Sequence, residues 1–183
     1  MKIHISNNGL YRLFVGLIVT QVLFCHLLNY GVTLLMNIPS AELTQQLRTE
    51  LAAVETLYRA FSEQDPDLVD AVLAPEWDDI PLAPGQAPGP AGIKTIINMV
   101  VAAFPDVHIT IHDTVQEPGK VAVRAEIGGT HLGELFGIPP TGKKVSFRLH
   151  EFHTVANGLI TTTWHMEDWF GLFLQLGQFP SQS

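Results

Sequence analysis

Apolar residues recur every three or four positions in two stretches of the chain, which is the spacing of one face of a helix. The first stretch covers residues 40–63 and begins with Ser40, a favoured N-cap residue. The second covers residues 91–104 and stops before Pro105. The pattern therefore predicts a long helix and a shorter one.

The segment between these two helices is rich in proline. Asp65 followed by Pro66 predicts the start of a short helix that stops at Pro75. Residues 75–92 contain five prolines and three glycines, so we expect a loop around a short extended piece, Trp77–Leu82.

Beyond residue 105 the apolar positions alternate with polar ones, which is typical of half-buried strands. The predicted strands are 107–112, 121–127, 145–155 and 160–168. A Gly- and Pro-rich segment, 128–144, separates the second strand from the third. Helices followed by a run of antiparallel strands predict an α+β fold.

Asn157-Gly158 is a strong hairpin signal and predicts how the last two strands pair. With a two-residue turn, Ala156 faces Leu159, and an unbroken ladder places Asp168 opposite Phe147. The predicted inner face is then mainly apolar, and it carries Val145, Phe147, Leu149, Glu151, His153, Val155, Ile160, Thr162, Trp164, Met166 and Asp168. The predicted outer face is polar, and it carries Ser146, Arg148, His150, Thr154, Thr161, Thr163, His165 and Glu167, with Arg148 opposite Glu167.

Three ionisable residues fall on this predicted inner face: Glu151, His153 and Asp168. Burial raises the pKa of a carboxyl group, and a carboxyl with a raised pKa can exchange protons near neutral pH. Asp168 is therefore the first candidate for a general acid/base. Two alternatives stay open: Asp168 caps the turn that follows the strand, and a one-residue bulge turns Glu151 and His153 outward.

Three further residues are candidates for a pocket. His131 lies on the apolar face if strand 121–127 continues, although such a histidine more often binds a loop. Trp77 and Asp79 are able to line a pocket, although paired acids beside a Pro-rich segment are usually solvated.

Composition excludes several classes of protein. The net charge of −8 argues against a nucleic-acid partner. The single cysteine, Cys25, forms no internal disulfide, and no Cys/His spacing resembles a zinc site. The stretch HEFH at 150–153 lacks metalloprotease spacing, and no Gly-rich phosphate loop occurs. We expect neither a metal nor a cofactor.

Residues 1–35 differ in composition from the rest, since they contain Lys2 and Arg12 but no Asp or Glu. Residues 10–35 are apolar enough for three interpretations: upstream sequence without a folded role, a membrane anchor, or a signal peptide. We expect a folded domain over 36–183 and a cytoplasmic protein, with a membrane-anchored or exported protein as the alternative. Membrane contact, if any, would come from residues 10–35.

Two apolar features predict a homodimer. Phe152 interrupts the polar face of the predicted sheet, and the C-terminal stretch DWFGLFLQLGQF is very apolar for a surface tail. Burying the sheet face or the tail against a second copy would remove either from water.

Several stretches together resemble the SnoaL-like polyketide cyclase family, also called ester cyclases. They are PLAPGQAPGPAGIK at 81–94, AAFPDVHITI at 102–111, GTHLGELFGIPPTGKKV at 129–145 and NGLITTTWHMEDWFGLFLQLG at 157–177. The resemblance implies a fold like that of nuclear transport factor 2, a cystatin-like roll. In that fold, a curved antiparallel sheet packs against three helices and forms a cone with an internal cavity.

The resemblance also implies a reaction and some of its residues. Members of the family close rings without a cofactor: a carboxylate removes a proton α to a carbonyl, and the enolate attacks a second carbonyl. Asp168 matches the family's last-strand carboxylate, His153 or Glu151 the assisting residue, His131 a cavity-rim residue, and Tyr58 an inward tyrosine. The expected substrate is a small apolar carbonyl compound that undergoes ring closure, isomerisation or dehydration.

The predicted substrate contacts are Tyr58, Trp77, Asp79, Phe147, Glu151, Trp164 and Met166. The alternative function is a non-catalytic protein that binds a small molecule in its pocket, because this fold carries many functions.

Overall fold

The computed structural model describes residues 40–179. Every strand of the described residues lies in one compact unit that begins at residue 44. The predicted leader 1–35 and its boundary with the folded domain lie outside the described residues. Within the described range, no helix is both long and apolar enough to cross a membrane.

Three α-helices, one 3-10 helix and five strands make up the described part of the chain. The helices are α1 (Ser40–Ser62), the 3-10 helix (Pro66–Ala71), α2 (Pro90–Ala103) and α3 (Trp169–Leu176). The strands are β1 (Leu73–Ile80), β2 (His108–Glu117), β3 (Lys120–Thr130), β4 (Lys144–Ala156) and β5 (Leu159–Glu167).

The two long predicted helices are confirmed as α1 and α2, each to within one residue at either end. The short predicted helix is a 3-10 helix, and the side chain of Asp65 caps it by accepting from the amide of Asp67 at 3.1 Å. A helix begins here because Pro66 takes a first-turn position that needs no N–H donor.

The extended piece predicted at Trp77–Leu82 is confirmed as far as Ile80, but strand β1 begins earlier, at Leu73, so the loop expected directly after Pro75 is wrong. This strand lies at the edge of the sheet and pairs only with β5, with a register shift between Leu73 and Asp78. An edge strand with such an irregularity tolerates a proline, which has no N–H to donate to the ladder.

The five strands form one curved sheet in the order β1-β5-β4-β3-β2. The α+β fold class and the curved sheet are confirmed, with one difference in detail. Strands β2 to β5 pair antiparallel as predicted, whereas β1 runs parallel to β5. This parallel pair brings the C-terminal end of β1 beside the middle of β5, with Asp79 opposite Thr163.

A bulge in β5 changes the predicted hairpin register. Ala156 faces Leu159 as expected, but β5 then has one extra residue, so that Thr154 pairs with Thr162. Since neighbouring residues of a strand point to opposite faces, one extra residue exchanges the faces of the rest of β5. The predicted faces are therefore correct for β4 and wrong for β5 beyond the bulge.

The exchange is visible in the exposure of β5. Trp164 is 45% exposed and Met166 is 68% exposed, although both were predicted on the inner face. Thr163, which directly precedes Trp164, was predicted on the outer face and is buried. Glu167 pairs with Leu149, so the predicted cross-strand pair of Arg148 and Glu167 is wrong.

The inner face of the sheet packs against α1 and α2 and forms a core with two adjoining clusters. Val54 of α1 and Ile97 of α2 are fully buried against strand residues such as Val121. Leu172 and Leu176 of α3 belong to the second cluster. On the outer face Phe152 is 64% exposed beside Trp164, its cross-strand partner. The homodimer stays a prediction.

Asp168 is the N-cap of α3 and lies on the surface. Its carboxylate accepts a hydrogen bond from the amide of Gly171 at 2.8 Å. Asp168 therefore has the capping role that the sequence analysis left open, and its predicted position on the inner face is wrong. The bulge explains this outcome, because it gives Asp168 the outward parity.

We expect Asp168→Ala to lower the free energy of unfolding by about 1 kcal/mol, the usual contribution of an N-cap side chain. Asp168→Asn keeps an oxygen acceptor for the amide of Gly171 and should change stability by only a few tenths of a kcal/mol. Urea denaturation of the two variants and the wild type measures both values. Equal losses in the two variants would contradict the capping role.

Candidate active site

A cavity of about 240 Å³ lies between the helices and the inner face of the sheet. Most of its wall is apolar, with contributions from Leu57, Phe61, Ile96, Met99, Phe147 and Trp169. Such a cavity suits a small apolar ligand, whose orientation would depend on the few polar groups in the wall.

Besides Tyr58, four ionisable side chains border this cavity: Asp79, Glu151, His165 and Glu167. The β-ladder explains why they meet, because Glu151 and His165 are cross-strand partners and Glu167 follows His165 on the same face. Asp79 comes from β1 and pairs with Thr163, so the parallel edge strand adds the fourth member. We call these four residues the acid cluster.

His165 is held as an imidazolium by its hydrogen bonds. Its Nδ1 lies 2.9 Å from Oε1 of Glu167, and its Nε2 lies 2.8 Å from the carbonyl oxygen of Pro81 and 3.3 Å from Oδ1 of Asp79. A backbone carbonyl and a carboxylate only accept, so both ring nitrogens donate. Burial opposes the charge, but the hydrogen bond and charge of Glu167 and the charges of Asp79 and Glu151 outweigh it and raise the pKa of His165 to about 9.

Asp79 is almost completely buried, with 4% of its side chain exposed. Its Oδ2 accepts a hydrogen bond from the side-chain amide of Gln86 at 2.7 Å. Burial raises the pKa of Asp79 above its ordinary value, and the hydrogen bond from Gln86 and the charge of His165 only partly offset this effect. A carboxylate with a raised pKa is a better base near neutral pH.

Behind the cavity a chain of hydrogen bonds leads to Glu151. The indole N–H of Trp77 donates to Oγ1 of Thr163 at 3.0 Å, and Oγ1 lies 3.0 Å from Nδ1 of His153. Nε2 of His153 lies 3.0 Å from Oε2 of Glu151. The hydroxyl of Tyr58 donates to that same oxygen at 2.6 Å.

The donors and acceptors of this chain fit one arrangement of protons. Since Trp77 only donates, the hydroxyl hydrogen of Thr163 is free to donate to Nδ1 of His153. In this arrangement Nδ1 of His153 accepts, and its Nε2 donates to Glu151. Burial, together with the charge and hydrogen bond of Glu151, raises the pKa of Tyr58 well above its ordinary value, so this hydroxyl keeps its proton.

The structure brings several of the predicted site residues together. Tyr58, Trp77, Asp79, Phe147 and Glu151 all border the cavity. His153 is fully buried and reaches the site through its contacts with Tyr58 and Glu151.

Met166 also borders the cavity, although 68% of it is exposed. Trp164 is on the outer face and Asp168 on the surface, so neither occupies its predicted position in the cavity. The predicted catalytic role of Asp168 depended on an inner-face position, which this residue does not occupy.

His131 does not border the cavity, contrary to its predicted place at the rim. Its Nδ1 accepts a hydrogen bond from the amide of Thr141 at 3.3 Å and lies 3.1 Å from the hydroxyl of the same residue. The ring packs against Phe104 with 5.4 Å between the centroids, and burial lowers its pKa. This histidine fixes the loop before β4, which is the role such residues more often have.

Sequence reasoning placed Thr163, His165 and Glu167 on the outer face, and it did not consider Gln86. The pattern of β5 favours the register without a bulge, because the apolar residues Ile160, Trp164 and Met166 share one face of an unbroken strand. The signal that was present is Asp168 followed three residues later by Gly171, since an N-cap aspartate ends the strand and points away from its inner face.

One ligand atom from each of Glu151, His165 and Glu167 lies within 4.8 Å of the other two, which is close enough for a metal ion to bridge them. The hydrogen bonds of His165 account for this spacing without a metal, because its Nδ1 donates to Glu167. The absence of a metal stays a prediction.

Comparison with known proteins agrees with the architecture. The sequence profile of the SnoaL-like polyketide cyclase family matches residues 52–176. The chain therefore belongs to the SnoaL-like polyketide cyclase family, as its motifs predicted. No curated protein matches the chain.

Three solved structures illustrate the similarity. TsrD from Streptomyces laurentii is 28% identical with a TM-score of 0.67, and the match covers 72% of this chain and 97% of that one. IdmH from Streptomyces antibioticus, named as a candidate polyketide cyclase, is 30% identical with a TM-score of 0.62 over 70% and 98% of the two chains. A candidate polyketide cyclase from Bacillus cereus is 26% identical with a TM-score of 0.63 over 70% and 80%.

Proposed function

We propose that this protein is a cofactor-independent acid/base enzyme of the cyclase type that acts on a small apolar carbonyl compound. The observation that carries the proposal is the acid cluster, which places three carboxylates and an imidazolium in an otherwise apolar cavity. Buried ionisable groups are costly unless they are paired or used, and perturbed groups in a cleft mark candidate active sites.

In the proposed reaction, Asp79 removes a proton from the carbon next to a substrate carbonyl. The electron pair of the broken C–H bond forms the enolate, and the proton stays on Asp79. The enolate carbon then attacks a second carbonyl of the same molecule to form a C–C bond, and the new alkoxide takes the proton back. The atoms and charges balance without any further reactant.

Asp79 suits the role of base because burial raises its pKa and because it borders the cavity. His165 lies 3.3 Å from Asp79, so its positive charge is placed to stabilise the enolate that forms beside them. Glu167 and the carbonyl of Pro81 hold the ring in this position.

Glu151 is the second carboxylate with access to the substrate. Tyr58 and His153 fix its Oε2, which orients the rest of the carboxylate. In this proposal Glu151 binds and orients the substrate, and Asp79 transfers the proton. The base is therefore Asp79, in place of the Asp168 that the motif suggested.

Deuterium exchange at the α-carbon tests the proposal without knowledge of the natural substrate. The protein is incubated with 2-tetralone, a small apolar ketone, in D₂O, and ¹H NMR follows the loss of the α-proton signals. We expect exchange to be faster than in buffer and to saturate with ketone concentration. Saturable binding without faster exchange would instead support the alternative of a non-catalytic pocket protein.

A further inference from the structure

Glu151 has one carboxylate oxygen that no described residue satisfies. Its side chain is 10% exposed, and both the hydroxyl of Tyr58 and Nε2 of His153 are directed at Oε2. Oε1 accepts no hydrogen bond from any residue within 40–179. Glu151 borders the cavity, so this oxygen is accessible from it, whereas Nε2 of His131 is buried in the core without a partner. Because Oε1 is open to the cavity and has no donor from the protein, it is a position for a hydrogen-bond donor of a bound ligand.

The charge around this oxygen is negative. Asp79, Glu151 and Glu167 carry three negative charges against the single positive charge of His165. No lysine or arginine of the described chain borders the cavity. The sum is −2, and it remains −1 if Asp79 is protonated.

A neutral hydroxyl would satisfy Oε1 but would leave this charge uncompensated. A carboxylate on the ligand would add to it and would offer no donor. A protonated amine supplies both a donor for Oε1 and a positive charge, and the surrounding apolar wall strengthens the attraction because it lowers the local dielectric constant.

We infer that the site takes apolar ligands whose polar end is a protonated amine, with the ammonium group bound to Oε1 of Glu151 and the apolar body in the cavity. The inference rests on the proposed function, because it takes this cavity to be the substrate site. It narrows the expected substrates to apolar carbonyl compounds that carry a basic amino group.

A series of three bicyclic ligands that differ in the charge of one substituent tests the inference. The probes are 1-naphthylmethylamine, 1-naphthylmethanol and 1-naphthoate, titrated into the full-length protein at pH 7 and followed by calorimetry. The amine and the alcohol both offer a donor, so their comparison isolates the charge. We expect the amine to bind about tenfold more tightly than the alcohol, and the carboxylate about tenfold more weakly than the alcohol.

Glu151→Gln removes one charge and directs an amide N–H₂ into the cavity if the amide oxygen keeps the bond from Tyr58. We expect the amine-to-alcohol ratio of affinities to fall by about tenfold in this variant. Asp78→Asn is the matched control, since Asp78 is exposed on the opposite face of β1 and its loss changes the net charge by the same amount. Its ratio should equal that of the wild type.

The outcomes separate this inference from the proposed function. Equal or tighter binding of the alcohol or the carboxylate, or no binding of any probe, would overturn the inference. The amine preference with no deuterium exchange would support the ligand class and contradict the enzymatic proposal. If Glu151→Gln fails to fold, as judged by circular dichroism, Asp79→Asn serves as the second variant, and it should also lower the ratio.

Discussion

Asp79→Asn is expected to slow the deuterium exchange of 2-tetralone by about 10²–10⁴-fold, which is the usual contribution of a positioned acid/base group. Asparagine keeps the size of the side chain and is able to keep the bond to Gln86, but its amide accepts no proton from carbon. Binding of the ketone should therefore be preserved while exchange is lost. The measurement is the initial rate of α-proton loss at saturating ketone.

The matched control for this prediction is Asp78→Asn. Asp78 precedes Asp79 in β1 and is exposed, whereas Asp79 is buried at the cavity, so the same chemical change is made on the two faces of one strand. The control should exchange at the wild-type rate. Full activity of Asp79→Asn would exclude Asp79 as the base, and loss of exchange in Glu151→Gln alone would transfer the role to Glu151.

The helices and the inner face of β4 were predictable because burial there follows the sequence period. In β4 the residues from Val145 to His153 alternate between buried and exposed positions, so Glu151 and His153 were identified as inward from parity alone. In α1 the apolar stripe that includes Tyr58 faces the core, again as its spacing predicts.

The other half of the site was not predictable because it depends on a single extra residue. Thr161 is the extra residue that interrupts the ladder between β4 and β5. As a result, His165 and Glu167 take the inner-face positions that were predicted for Trp164 and Met166. The local sequence favours the ladder without the bulge, because that ladder would place the apolar side chains of Trp164 and Met166 on the inner face. The choice between the two registers depends on packing against the helices. The alternation of residues along the strand carries no information on that packing.

Asp79 was a weak candidate for a related reason. Proline-rich sequence predicts a loop, so Pro75 argued against the strand that contains it. That strand, β1, tolerates the proline because it pairs with one neighbour only. The pairing of Asp79 with Thr163 is a contact between distant parts of the chain. Only the parallel placement of β1 beside β5 shows that Asp79 and His165 share one site.

The second large effect that we expect is a loss of stability between pH 6.5 and pH 9.5, caused by His165. The pKa of this histidine is about 9 in the folded protein and 6.5 in the unfolded chain. A group whose pKa is raised by folding stabilises the protein below its unfolded pKa, and the contribution disappears as the pH rises through the folded pKa. The difference corresponds to about 3 kcal/mol of unfolding free energy.

Other groups with shifted pKa values also change the free energy of unfolding with pH. The lowered pKa of His131 affects stability mainly below pH 6.5, its unfolded pKa, and the raised pKa of Asp79 makes stability fall as the pH rises above 3.8, the unfolded pKa of that group. The raised pKa of Tyr58 matters only above pH 10. Within the described chain, the difference between the wild type and His165→Gln in the interval between pH 6.5 and 9.5 therefore isolates the contribution of His165.

Urea denaturation at several pH values in this interval measures the effect. The wild type should lose about 3 kcal/mol of unfolding free energy from the low end to the high end, whereas His165→Gln should show little dependence on pH. His150→Gln is the control, because His150 is exposed on the outer face of β4 and its removal should leave the wild-type slope unchanged. A wild-type profile as flat as that of His165→Gln would show that the ring is neutral, and the positive charge assigned to the acid cluster would then be wrong.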